Sequence, residues 1–173
     1  HGTFTSETTN NLDYGADRPE APLTPGDAGY TFAGWAPVLV DEVTANATYT
    51  AQWTANDDTA YTVETYYAAD GTYPIVPTST TDRTGTTDTL AYVTSLDKTP
   101  LPGYAYDTAA GNVESGVIAG DGSLVLKLYF KEQFSVTYLP GAHGTFTSET
   151  TNNLDYGAER PDAPLTPGDA GYT

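Results

Sequence analysis

The 173-residue chain has no cysteine and no methionine, and only 6 of its residues are Lys or Arg against 23 Asp and Glu. Each shortage excludes something. Without cysteine there is no disulfide framework, thiol nucleophile, zinc knuckle or iron–sulfur site. A formal net charge of −17 cannot displace counterions from a phosphate backbone, so nucleic-acid binding is excluded as a main role. A polybasic hold on an anionic membrane fails for the same reason. The longest apolar run is about five residues, whereas a spanning helix needs roughly 20. No membrane insertion is therefore expected in this segment.

The residues that are present favour strands. There are 31 Thr, 14 Tyr, 17 Gly and 12 Pro, with 38% hydrophobic and 12% aromatic residues. Thr, Tyr, Val and Trp suit pleated, half-buried surfaces, and this apolar share argues against disorder. The chain opens at His1 with no Met and no signal-peptide pattern. It reads as an internal piece of a longer, acidic, extracellular-type protein.

The strongest pattern is an internal repeat. Residues 1–31 return as residues 143–173 at an offset of 142, and only Asp17/Glu159 and Glu20/Asp162 differ. Both exchanges keep the charge. A period of 142 residues exceeds one solenoid unit of roughly 20–45 residues, so two small domains per period are expected. Polar stretches at Thr54–Thr59 and Lys131–Gln133 suggest the boundaries. The expected layout is a module at 1–54 lacking its first strand, a linker at 55–59, a second module at 60–131, and the incomplete start of the next first module at 132–173.

Alternation of apolar and polar residues predicts the strands. It is clear at Tyr49/Ala51/Trp53, Tyr61/Val63/Thr65, Leu124/Leu126/Leu128/Phe130 and Phe134/Val136/Tyr138. Asp70-Gly71 and Asp121-Gly122 are hairpin signals, because primed turns need positive φ. Pro19, Pro22 and Pro25 predict an extended connection. Only Asp88–Leu96 and Asn10–Tyr14 leave room for a short helix, and the first of these fits a strand equally well. The expected class is mostly β with little helix.

Two families resemble these modules. The first module carries Gly-Tyr-Thr-Phe-Ala-Gly-Trp at 29–35 and a closing Tyr-Thr-Ala-Gln-Trp at 49–53. Together with a strand such as that at Phe134, it resembles the Listeria–Bacteroides repeat, also called the internalin B-repeat family. The second module runs from the Tyr-rich Tyr61–Tyr73, through Leu101–Asp107, to Asp121–Phe130. It is similar to the mucin-binding (MucBP) repeats of Gram-positive surface proteins. The resemblance implies small β-grasp-like modules arranged as tandem beads, outside the cell, on a cell-wall-anchored parent protein.

No catalytic constellation emerges. His1 and His143 are one position in two copies, with no nucleophile elbow nearby, and read as turn residues. The protein is not expected to be an enzyme. Asp57-Asp58 could lend oxygens to Ca²⁺, although no calcium-loop pattern accompanies them and linker solvation is the plainer reading. Lys127 falls on the Val125/Tyr129 face of its strand and reads as a solvent-facing guard against edge pairing. Tyr30, Phe32, Trp35 and Trp53 read as core rather than as a sugar platform. Tyr66, Tyr67, Tyr104 and Tyr106 are the better candidates for ligand contact.

Three roles follow as expectations. The first is a stalk or spacer repeat of a bacterial surface adhesin, with neighbouring repeats of the same chain as partners. The second is a multivalent module binding host mucin or glycoprotein at low affinity, although a charge of −17 repels acidic glycans. The third is self-association by strand exchange through Phe134, Val136 and Tyr138.

Overall fold

The structure is a computed structural model and describes residues 1–23, 25–165 and 168–171. Among the described residues nine strands account for the regular structure: β1 (Tyr30–Ala36), β2 (Thr50–Ala55), β3 (Thr59–Tyr67), β4 (Ser79–Gly85), β5 (Leu90–Tyr92), β6 (Tyr104–Tyr106), β7 (Ser115–Val117), β8 (Val125–Tyr138) and β9 (Glu149–Asp155). The protein is mostly β, as expected, and no helix occurs among the described residues. Asp88–Leu96 contributes β5, while Asn11, in the other stretch with room for a helix, takes a positive φ of 58°.

Strand order is β4-β3-β8-β6, with β9 also on β8, plus the pairs β1-β2 and β5-β7. The amide of Thr62 donates to Leu124 and that of Ala68 to Phe130. The offset is 62 residues both times, so β3 and β8 run parallel. Both strands alternate as predicted: Tyr61 and Val63 are buried on one, and Leu126, Leu128 and Phe130 are fully buried on the other. The Asp70-Gly71 turn also forms as predicted. Its φ angles are 52° and 72°, and Ala69 and Thr72 exchange both backbone hydrogen bonds, the signature of a two-residue primed hairpin.

The chain forms two compact units that interleave along the sequence. One gathers His1–Thr62, Asp82–Tyr92 and Ser115–Val125; the other gathers Val63–Thr81, Val93–Glu114 and Leu126–Thr173. Residues 55–59, expected as a linker, form the end of β2, a three-residue turn and the start of β3. Asn56 holds that turn: its amide donates to Gly29, its carbonyl accepts from Thr87, and its side chain accepts from the Thr31 hydroxyl. The expected boundary at Lys131–Gln133 lies inside β8, which runs through it without a break.

In the first unit, β1 and β2 pair antiparallel with a bulge between Phe32 and Gly34, where Gly34 takes a φ of 122°. The hairpin carries an aromatic cluster. Phe32 meets Trp35 and Trp53 edge-on at 5.7 and 5.5 Å, and Phe4 meets Trp35 at 5.7 Å. These are edge-to-face distances typical of packed rings, and Phe32, Trp35 and Trp53 are half-buried in this cluster. Tyr30 instead stacks on His1 and donates its hydroxyl to Asp88.

A second feature of this unit is close backbone packing. Thr59 and Thr87 are buried and share a hydroxyl hydrogen bond of 2.7 Å. A Cβ on Gly29 would meet Gly120 and Thr87, and one on Gly120 would overlap the Ala28 carbonyl. Backbone cannot yield as a side-chain tip can. Gly120→Ala is therefore expected to destabilise the protein by about 1–3 kcal/mol, read as a lower urea midpoint with an unchanged slope.

Candidate functional site

The second unit contains the four tyrosines singled out from sequence. Adjacent residues on a strand face opposite ways, so Tyr66 and Tyr67 on β3, and Tyr129 and Phe130 on β8, divide into two aromatic groups. On the Leu126/Leu128 face, Tyr67 stacks on Phe130 at 4.8 Å and meets Tyr104 edge-on at 4.7 Å. Tyr106 meets Phe130 at 5.7 Å. On the other face Tyr66 stacks on Tyr129 at 4.8 Å, and Tyr73 abuts Tyr129 at 4.9 Å. Tyr66 does lie opposite Val63, as the alternation predicts, but it is only 5% exposed. The Tyr129 ring stacks on it.

Their hydroxyls are also engaged. Tyr66 donates to Glu64 at 2.6 Å and Tyr73 to Asp107 at 2.7 Å, while Tyr106 donates to Glu114. Glu64 also pairs with Lys127 at 3.4 Å, and the ammonium lies 5.8 Å from the centre of the Tyr66 ring. This corrects the expectation for Lys127. Its strand lies between β3 and β6 and also bridges Val113, so Lys127 guards no open edge. It neutralises Glu64 beside an aromatic ring.

These pairings shift the ionisation of the groups involved. The Tyr66 phenol is raised chiefly by its bond to Glu64. Burial, then the bonds to Asp107 and Glu114, pushes the phenols of Tyr73 and Tyr106 up. Asp107 is held below the usual carboxylate range by the Tyr73 hydroxyl, aided by the Ala109 amide and Lys131. Glu114 is lowered by Lys98, 2.5 Å away, and by Tyr106.

Beside this cluster lies a shallow cleft of about 190 Å³ lined by Ala68, Gly71, Tyr73, Asp107, Lys131, Glu132, Asp155 and Tyr156. Lys131 reaches Asp155 at 2.6 Å, and Gln133 donates to the same carboxylate. The Gly71 amide donates to Glu132 at 2.9 Å, and the Tyr156 ring lies against Gly71. Asp155 and Tyr156 come from the second copy of the repeated segment, and the other lining residues precede it. Its polar groups bond to one another: Lys131 to Asp155, the Gly71 amide to Glu132 and Tyr73 to Asp107.

The strand-exchange candidates form the last part of β8. Phe134 pairs with Leu154, Val136 with Thr151 and Tyr138 with Glu149. Tyr138 donates its hydroxyl to the Pro161 carbonyl at 2.6 Å, and Arg160 donates to the Tyr138 oxygen at 2.6 Å. Asp57 and Asp58 are exposed. Among the described residues no group of three or more His, Asp or Glu is placed to hold a metal ion. His1 and His143 each lie 3.5 Å from an aspartate, Asp27 and Asp169.

Sequence reasoning missed Tyr73, Tyr129, Glu64 and Asp107 as members of the cluster. Alternation signals Tyr129, and also Glu64, two residues before Tyr66 on β3, but Tyr73 and Asp107 come from separate segments that only the fold joins. No protein-family model, no curated protein and no solved structure matches this chain.

A carboxylate with a depressed folded pKa adds stability above its unfolded pKa and loses it as pH falls through the folded value. Asp107 is such a group. Asp107→Asn is expected to cost about 1 kcal/mol at pH 7, with the gap from the parent protein closing as pH falls through the depressed folded pKa of Asp107. Urea unfolding at pH 7 and at successively more acidic pH measures the difference.

Proposed function

We propose that this chain is a spacer repeat in the stalk of a bacterial cell-surface adhesin, built from small β-grasp-like modules and standing outside the cell on its parent protein. The observation that carries the reading is β8. It begins in the hydrophobic core of one period and ends as the first strand of the next, without a linker between. Lys131 and Gln133 fasten the junction through Asp155. A repeat joined by a strand passes its direction to its neighbour, and a spacer needs that property.

Composition supports the same reading. Near-identical copies 142 residues apart serve length, and a net charge of −17 keeps neighbouring stalks soluble and apart. The tyrosines best suited to stack on a glycan are packed on Phe130 and Tyr129, and Tyr66, Tyr73 and Tyr106 bond to carboxylates. This favours the spacer over a mucin-binding module.

Proteins carrying one, two and three 142-residue periods provide the test. In small-angle scattering, the maximum dimension is expected to rise linearly by on the order of 60 Å per period. Growth with the square root of repeat number, as for beads on flexible linkers, would overturn the proposal. Glycan-array binding that strengthens with repeat number would favour the mucin-binding reading instead.

A further inference from the structure

β8 is one strand with two kinds of support. Up to Gln133 it lies inside a sheet: Ala68 donates to Phe130, Tyr104–Tyr106 pair with Phe130–Glu132, and the Gln133 amide donates to Gly103. From Phe134 to Tyr138 its only strand partner among the described residues is β9. The sheet therefore narrows to a two-stranded ribbon. The ribbon carries a bulge between Phe134 and Val136, just past the narrowing. Two-stranded ribbons twist more strongly than wider sheets, and a bulge bends its strand. A continuous backbone does not by itself hold such a place at a fixed angle.

One side chain spans it. Tyr156 follows the last residue of β9, and its ring returns to the tip of the Asp70-Gly71 hairpin that extends β3. A Cβ on Gly71 would lie 2.5 Å from Cδ1 of that ring and 3.0 Å from Cε1. The tip is itself fastened to β8, because the Gly71 amide donates to Glu132 at 2.9 Å. The same ring faces Phe134, the first ribbon residue, at 6.4 Å. Tyr156 thus touches the second unit on both sides of the narrowing. It is 53% exposed, too open for a core residue.

Glycine at 71 answers two demands. Its φ of 72° suits the primed turn, and its missing Cβ leaves room for the ring. Asn meets the first demand, because it tolerates positive φ, and fails the second. A turn role and a seat for the ring can therefore be told apart.

We propose that Tyr156 is a brace: its ring, seated on Gly71 and backed by Phe134, stops the β8–β9 ribbon from bending against the sheet. Gly71 is the positioning residue for that ring. Releasing the ring to solvent leaves the packing of Leu126, Leu128 and Phe130 untouched. The joint then has a stiff state, with the ring seated, and a loose state, with the ring released. The brace goes beyond the continuity of β8 and is independent of the spacer reading.

Residual dipolar couplings of backbone amides, measured on the full 173-residue chain, test it. In Tyr156→Ala the couplings of β9 are expected to fall by about twofold through added hinge motion. Those of Val63–Tyr67 and Val125–Phe130 should stay unchanged, which also shows that the core is folded. Gly71→Asn should loosen β9 to the same extent, and the double variant no further. Tyr156→Phe should behave as the parent protein, because the contact uses ring carbons. Unchanged β9 couplings in Tyr156→Ala and Gly71→Asn overturn the brace, as does an equal loss in Tyr156→Phe. A double variant looser than either single one overturns the seat at Gly71. Hydrogen exchange more than about tenfold faster at residues 149–155 would mean that the ring holds the strand rather than the angle, and overturns the brace as well.

Discussion

The packing of β8 is the constraint on which the rest of the second unit depends. Leu126, Leu128 and Phe130 are wholly buried on one face, and each such side chain contributes about 1.5–3 kcal/mol of hydrophobic stabilisation. Alternation then fixes the other face, where Lys127, Tyr129 and Lys131 must stand. The aromatic stacks, the Glu64–Lys127 pair and the Lys131–Asp155 pair all follow from that placement. Shifting the register by one residue would turn every one of them to the wrong side.

Scarcity of positive charge gives the few cations defined work. All three lysines are within 3.4 Å of a carboxylate: Lys98 of Glu114, Lys127 of Glu64 and Lys131 of Asp155. Arg18 holds the carbonyls of Val40 and Pro19, and Arg160 holds the Tyr138 hydroxyl. Exposed pairs of this kind add little stability. In a chain of net charge −17 they do something else: they select which carboxylates lie against aromatic rings and at the period junction, where a bare negative charge would repel its neighbours.

Strand positions were legible from the sequence because period-two patterning is local. Tyr61/Val63, Leu126/Leu128/Phe130 and the Asp70-Gly71 turn follow directly from it. What covers a strand face is not local. Tyr66 falls where alternation puts it, and the ring stacked on it, Tyr129, is brought in by the fold. The same holds for Lys127, whose strand looks like a guarded edge until neighbours on both sides are known. The period junction was misleading for a related reason. Lys131-Glu132-Gln133 is polar enough to read as a module boundary, yet it continues as strand because Tyr104 and Ala105 pair with Glu132 and Lys131. The clearest limit is the heptapeptide Glu-Thr-Thr-Asn-Asn-Leu-Asp, strand at 149–155 and not at 7–13. No reading of seven residues can separate two states that differ only in what lies beside them.

The unbroken course of β8 also bears on how load passes through the protein. A pull along the chain enters this strand at Val125 and leaves at Tyr138, aligned with its own axis. The bonds to β6 and β9 run across that axis, so tension shears several of them together rather than opening them one by one from an end. Rupture then requires a concerted slip of paired strands. A turn at Lys131 would have concentrated the same force on a single terminal bond.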